Sequence, residues 1–399
     1  MASIDPLDRP IGRLLRAAQT ADPEALVDTL SLAVAELGGS DVLIYLIDYE
    51  HATLIPHPDE LPHGERPEPA ALDGTMAGRA FLSSTRLASR REDGWHVWVP
   101  VVERADRLGV LSMTLPEWDE DVEYYCVELG YAAAHLLLAS SRYTDLTHLL
   151  RRRKDLDLAA EMQWSLLPPL SFSVAGTTIA GLLEPAYEVG GDCFDYALNL
   201  GYLDLAVFDA VGHGLGSAVL ASLVVGAYRN GRRECEGLHQ LATGIDEAVR
   251  QYPGDPAFAT ALLARLNVST GRLTWTACGH PQPLHVRHGT TLPEVQVQQG
   301  APLGLGAVAP VIGEIIEVAL EPGDGLLFYT DGVVDARGPG GEYFGEDRLR
   351  DLLEREHVSG RPPQEVLRRL VRSALTHQTT RLRDDASMLY LRWDGPEQA

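Results

Sequence analysis

In the second half of the chain, short apolar runs begin or end at aspartate. Asp192 sits in VGGDCFD, Asp209 ends YLDLAVFD before AVGHGLG, Asp331 ends GLLFYTD before Gly332, and Asp384 with Asp385 opens DDASMLYLRW. TTIAGLLE, ATALLARLNV, RLTWTACG and GEIIEVAL read as further strands. Helices are expected over LGSAVLASLVVGAY, GLHQLATGIDEAVRQY, FGEDRLRDLLERE and PQEVLRRLVRSALTHQ. Because the strands mostly follow one another instead of alternating with helices, antiparallel sheets flanked by helices are expected, and a doubly wound parallel sheet is not.

A single aspartate before glycine is an ordinary turn. Four acids at the ends of apolar strands in one domain are harder to assign to turns alone. If those ends converge, the carboxylates crowd one another, which is unfavourable unless protons or cations intervene. With no His or Cys set beside them, Mg²⁺ or Mn²⁺ is favoured over zinc. Two such ions can hold and deprotonate a water and clamp a phosphoryl oxygen, a route to phosphate ester hydrolysis without a protein nucleophile. No GxSxG elbow, Walker A pattern or kinase signature competes. Ser217 opens a helix, where serine is an ordinary early-turn residue.

At 399 residues the chain has the length of two ordinary domains. A formal net charge of -24 argues against gripping nucleic acid or an anionic membrane, since phosphate binding needs clustered Lys and Arg. No apolar run approaches the roughly 20 residues that span a bilayer, and MASIDPLDRPIGR lacks the features of a signal peptide, so a cytoplasmic protein is expected. Cys126, Cys193, Cys235 and Cys278 form no CxxC pair and are expected as free thiols.

In the first third, PEALVDTLSLAVAEL has helical spacing and DVLIYLIDYEHATLIP reads as two strands joined at Asp48 to His51. LDGTMAGRAFLSS carries a short helix, WHVWVPVVERADRLGVLSMTLPE a second strand pair, and DVEYYCVELGYAAAHLLLASSRYTDLTHLL a long helical pattern. His51, His57 and His63 flank or lie in a Pro-rich stretch and are expected to be solvated loop residues, not metal ligands. Between Tyr143 and Pro168 an apolar stripe, including Leu158, Met162, Leu166 and Leu167, predicts a helical linker that pairs with a second copy in a parallel dimer, with Arg151 to Lys154 on its wet face.

The order of elements from about 22 to 140, with GTMAGRAF and WVPVVERADRLGVLSM as the local matches, resembles a GAF domain, with a PAS domain the nearest competitor. From about residue 158 to 394 the ordered set LAAEMQWSLLPP, VGGDCFDY, FDAVGHGLGSA, FATALLARLN, CGHPQPL, LGLG, GDGLLFYTDGVVDA, YFGEDRL and DDASMLYL resembles the bacterial branch of the PPM metal-dependent serine/threonine phosphatases, that of stage II sporulation protein E and the sigma-regulator phosphatases. The resemblances imply an α+β chain: an N-terminal segment (1–21), a GAF-like α/β sensor domain (22–140), a helical linker (141–168) and a PPM α-β-β-α sandwich of antiparallel sheets (169–395).

The second resemblance also implies a site. Asp209 bridges two Mn²⁺ or Mg²⁺ ions, with the backbone carbonyl of Ala210 a further ligand. Asp192 serves one metal, and Asp331 with Asp384 the other, Asp385 being the fallback if the last motif is shifted by one. Asp195 and Asp335 give turn or water-mediated support. His213 is a candidate proton donor to the leaving alkoxide, and Gly190, Gly191, Gly212 and Gly279 allow close approach or turns. The implied substrate is a phosphorylated anti-sigma-factor antagonist, and the implied control runs through residues 143 to 168. The alternative from another class is a catalytically silent scaffold of the same fold that binds partner proteins.

Overall fold

The computed structural model describes residues 8–57, 64, 66–187, 190–234, 237–253, 257–378 and 385–396. It divides into two compact units, Met1–Asp155 and Leu156–Ala399.

The first unit runs α1 (Asp8–Ala18), α2 (Leu26–Ala35), β1 (Ser40–Ile47), β2 (Thr53–His57), β3 (Ala70–Ala71) and α3 (Met76–Ser83). It continues through β4 (Leu87–Arg91), β5 (Gly94–Glu103), β6 (Asp106–Leu115), α4 (Glu120–Ser140) and α5 (Leu146–Arg151). The strands form an antiparallel sheet ordered β3-β2-β1-β6-β5-β4. Val97, Val99 and Val101 of β5 join residues of α2 and α4 in one core, while Trp98 joins α3 on the opposite face. That is the period-2 alternation of a sheet covered on both sides. The expected helix, hairpin, short helix, strand pair and closing helix are all present, and α1, β3 and β4 are additions.

Two expectations for this unit fail. His51 is half-buried, not a freely solvated loop residue. It takes φ 50° in the β1–β2 turn, its Nε2 is enclosed, and burial, with the Arg151 and Arg107 charges, pushes the imidazole down to about 3. His57 lies on β2 and His63 lies outside the described residues. Nor is the stretch from 143 to 168 one helix. Asp145 and Asp157 occupy N-cap positions, and the Asp157 carboxylate accepts from the Ala160 N–H at 2.7 Å, so α5 stops at Arg151 and a new helix starts at Leu158. The basic run is a wet face only in part: Arg153 and Lys154 are exposed, whereas Arg151 and Arg152 are half-buried. Arg151 donates to the Ile47 carbonyl and stacks on Tyr49, Arg153 donates to Thr53 and Lys154 pairs with Glu50.

The second unit begins with α6 (Leu158–Leu166), β7 (Ser171–Val174), β8 (Thr177–Glu184), β9 (Asp192–Asn199), β10 (Tyr202–Ala210), α7 (Leu215–Arg233) and α8 (Leu238–Arg250). After β11 (Ala259–Asn267), β12 (Arg272–Cys278), β13 (Leu284–Arg287), β14 (Thr290–Thr291), β15 (Ile316–Ala319) and β16 (Asp324–Tyr329) come α9 (Glu346–Val358), α10 (Pro363–Gln378) and β17 (Ala386–Trp393). Two antiparallel sheets result, ordered β15-β12-β11-β10-β9 and β14-β13-β16-β17-β8-β7.

Residue parity fixes the layers. Along β10, Leu203, Leu205 and Val207 enter a core shared with Leu326 and Phe328 of β16 and Leu389 and Leu391 of β17, so this core lies between the sheets. Ala206, Phe208 and Ala210 instead pack with α7 and α8. On the second sheet, Leu327, Tyr329, Met388 and Tyr390 pack with α9 and α10. Helices, sheet, sheet, helices is the four-layer α-β-β-α order, reached because both sheets are apolar on both faces.

Candidate metal centre

The alternation that fills the inter-sheet core also aims the acids. Odd positions of β10 and even positions of β9 (Phe194, Tyr196) face between the sheets, so Asp209 and Asp192 face the same gap, and they are directly opposite in the β9–β10 register. A pair of like charges placed this way is destabilising unless something offsets it.

The other sheet brings its strand ends to the same place. The Thr330 hydroxyl, one residue before Asp331, donates to the Asp192 carboxylate, and the Ser387 N–H, two residues after Asp385, donates to it at 2.9 Å. The Gly190 N–H donates to the Asp385 carboxylate. Two glycines make the approach possible: a Cβ on Gly191 would overlap the Ala210 carbonyl, and one on Gly332 would overlap the carbonyl of Asp385. Asp331 thus stands between two residues that both touch the cluster.

Asp192 is buried, Asp209 half-buried and Asp331 exposed. Burial, then the Asp209 charge, drives the Asp192 carboxyl well above the usual carboxylate range, with Asp385 adding to the rise and the Thr330 and Ser387 donors opposing it. Crowded oxygen donors of this kind fit a hard divalent cation. Among the described residues, however, no three His, Cys, Asp or Glu side chains are grouped to hold an ion. Asp384 lies outside the described residues, whereas Asp385 is buried against Gly190.

The remaining expected residues fall as follows. His213 is exposed in the turn before α7, where Gly212 takes φ 98°; Gly279 takes φ 69° after β12. The Asp335 N–H closes a turn onto the Asp331 carbonyl at 2.8 Å. The Ser217 hydroxyl donates to the Gly214 carbonyl inside the first turn of α7. Cys126, Cys193 and Cys278 are free and buried, and Cys235 lies outside the described residues.

Asp195 requires a correction. It faces α7, away from the gap, and its carboxylate takes the guanidinium groups of Arg229 (3.0 Å) and Arg232 (2.9 Å). This is a buried ion cluster, neither a turn nor a water-mediated support.

A second set of residues went unexpected. From α6, the Gln163 amide donates to the main-chain carbonyl of Asp192, Trp164 Nε1 donates to the Ala186 carbonyl at 2.8 Å, and the Leu166 carbonyl accepts from Arg229. All three ties reach the segment entering β9 or the cluster that holds Asp195. Leu158 is exposed, Met162 and Leu166 are half-buried, and Leu167 packs beside the inter-sheet core. The available signal was a glutamine on the inward face of the apolar pattern LAAEMQWSLL.

Among the described residues no helix is long and apolar enough to cross a membrane. Residues 200–394 match the family model described as stage II sporulation protein E (SpoIIE). Phosphoserine phosphatase RsbU of Bacillus subtilis is 24% identical over 292 residues, 71% of this chain and 83% of RsbU. Protein IcfG of Synechocystis sp. is 25% identical over 236 residues, 50% of this chain but 36% of IcfG, so the chain spans little more than a third of that relative. The crystal structure of the RsbU and RsbW domains of Rv1364c from Mycobacterium tuberculosis superposes with a TM-score of 0.50 at 27% identity, covering 56% of this chain and 63% of that one. The layered sheets, the paired acids at their ends and these likenesses together make the C-terminal unit a SpoIIE-type PPM phosphatase domain, homologous to RsbU.

Proposed function

We propose that the C-terminal unit is a cytoplasmic, metal-dependent protein phosphatase that hydrolyses phosphoserine or phosphothreonine, and that its substrate is a phosphorylated anti-sigma-factor antagonist. The observation that carries this is the Asp192–Asp209 pair, opposed across β9 and β10 and facing the gap to which Thr330 and Ser387 bring the other sheet. Asp192, Asp209, Asp331 and Asp384 or Asp385, with the Ala210 carbonyl, are the residues that would hold two Mn²⁺ or Mg²⁺ ions. Bound there, the ions supply positive charge for the phosphoryl oxygens and an acidified water. The chain's own part is to hold the acids at fixed strand ends, to orient Asp192 through Thr330 and Ser387, and to present His213 to the leaving oxygen. Control by the GAF-like N-terminal unit is proposed to act through α6, whose contacts run to Asp192.

A silent scaffold is the second reading, favoured by the absence of a ready three-acid group among the described residues. Hydrolysis of an aryl phosphate, measured with and without Mn²⁺, separates the two. The enzyme reading expects Mn²⁺-dependent turnover that Asp209→Asn abolishes with the fold intact. A folded protein inert with every divalent metal leaves the scaffold. Deleting residues 1–155 is expected to change the rate, and an unchanged rate removes the regulatory claim.

A further inference from the structure

The outer face of α7 breaks the pattern of its unit. A helix laid on a sheet ordinarily turns charge to solvent, and α8 does so with Glu247 and Arg250, both exposed. From Ala210 to Tyr228 there is no Asp, Glu, Lys or Arg, in a chain of which 23% of residues are charged. Leu220, Ala221, Val224 and Val225 pack in the core beneath α7 and account for its inner side. They do not account for Leu215 and Val219, which are 49% and 37% exposed one helical turn apart. Ser222 and Gly226 continue the same face at helical spacing, and the Ser222 hydroxyl is turned onto the Ala218 carbonyl at 2.8 Å. Nothing lies within 4 Å of where a Cβ on Gly216 or Gly226 would stand, so the fold itself asks for no glycine there. A glycine inside a helix weakens it, and close approach of another backbone is a use that such a residue serves.

Place and charge name the occupant. The row begins at Val211, exposed and two residues beyond Asp209, and runs about 16 Å along the helix from Leu215 to Gly226, at 1.5 Å per residue. A phosphoryl group delivered to the gap between Asp192 and Asp209 therefore arrives beside the head of this row. On a phosphoprotein, what lies next to that group is polypeptide. The chain holds 57 acidic against 33 basic residues, so an acidic flank added to a phosphate dianion meets repulsion. A charged flank of either sign would lose water against this row without gaining a partner. An apolar flank loses no such partner and buries area.

We propose that the outer face of α7, formed by Leu215, Val219, Ser222 and Gly226 with Val211 at its head, is the docking surface for an apolar, uncharged segment of the phosphoprotein substrate adjoining the phosphorylated residue. An extended segment of about five residues covers the row, at about 3.3 Å per residue. Docking there rests on the phosphatase reading and adds to it a basis for choosing among phosphoproteins.

The probes are synthetic phosphoserine peptides in which the residues on one side of the phosphoserine are Leu, Val and Ala, or Lys, or Glu, the other side being Gly and Ser, with each set made for both sides. With Mn²⁺, the full-length wild-type chain is expected to show kcat/KM about tenfold higher for the apolar flank than for either charged flank, on one side of the phosphoserine. Val219→Lys is expected to turn the preference toward the Glu flank and Val219→Glu toward the Lys flank. Gly226→Asp, at an open position farther from the acids, is expected to act as Val219→Glu does. Hydrolysis of an aryl phosphate, which has no flank, should stay near wild type in all three. Loss of fold lowers every rate and does not reverse a preference. Equal kcat/KM for all flanks, no hydrolysis of any peptide, variants that keep the wild-type order, or variants that change only the oligomeric state would each overturn the docking assignment and leave the phosphatase reading in place. A wild type inert toward the aryl phosphate with every divalent metal would sink that reading, and docking with it.

Discussion

The side-chain amide of Gln163, fully enclosed, donates to the main-chain carbonyl of Asp192, the residue whose carboxylate faces Asp209. A helix that precedes the phosphatase sheets therefore holds the backbone of a candidate metal ligand. Replacing Gln163 with leucine keeps the volume and removes the donor. Loss of an outer partner of a metal ligand costs about 10- to 100-fold in metal affinity or activity. Gln163→Leu should thus need more Mn²⁺ for half-maximal turnover, with thermal unfolding little changed. An unaltered metal titration would show that this contact is only packing.

Thr330 offers a cleaner comparison, because its hydroxyl and the Ser387 N–H share one Asp192 oxygen. Thr330→Val removes the hydroxyl at constant shape, and Thr330→Ser keeps it. Turnover is expected to fall about tenfold in the valine variant and to stay near wild type in the serine variant. Equal losses in both would assign the effect to packing of the β16 end.

The Asp195 cluster is a matter of stability. Arg232 is 8% exposed, and replacing it with methionine leaves a buried carboxylate with only the more exposed Arg229. Breaking a buried pair typically costs about 3–5 kcal/mol, and a domain of this size loses roughly 2–4 °C of Tm per kcal/mol. A Tm lowered by on the order of 10 °C is expected. The measurement is a circular dichroism melt, and a shift under about 2 °C would mean that water reaches Asp195.

His280 governs part of the pH response. It is buried, its Nδ1 lies 3.0 Å from the Pro281 carbonyl, and its Nε2 has no partner among the described residues. Burial drives the imidazole from 6.5 down to about 4. The unfolded chain therefore takes up a proton below about pH 6.5 that the folded chain refuses until about pH 4. The stability contributed by the neutral ring is complete above pH 6.5 and is lost as pH falls toward 4. His280→Gln should shrink the difference between urea midpoints at pH 7 and pH 5. A difference equal to wild type would show that the ring is hydrated in solution.

Much of this was legible in the residues. The strands of the second unit that are apolar runs, such as β10, β11 and β17, are recognisable from their strand-forming residues, and once Leu203, Leu205 and Val207 are known to face the other sheet, parity along β10 aims Asp209 at the same gap. β9 was not among the strands named from the sequence because its alternation is carried partly by acids: Asp192 faces the gap and Asp195 faces α7. The linker misled for the opposite reason. Its leucines keep helical spacing across 152–157, but Asp157 caps a new helix there, and a cap acts on the backbone, which an apolar stripe does not register. His51 was misread because the Pro-rich stretch after it suggested solvent, whereas the β1–β2 turn folds it inward. The partners of Asp192 were out of reach, since Thr330 and Ser387 lie far along the chain and meet it only through sheet stacking.

The ties from Gln163, Trp164 and Leu166 bear on where this chain can be cut. A proteolytic fragment starting at residue 156 would retain the brace on the entrance to β9. One starting at 169, the limit that Pro168 and Pro169 suggest to the eye, would keep every proposed metal ligand yet lose the amide beneath Asp192. Two truncations only thirteen residues apart could then differ in catalytic competence while looking alike in fold.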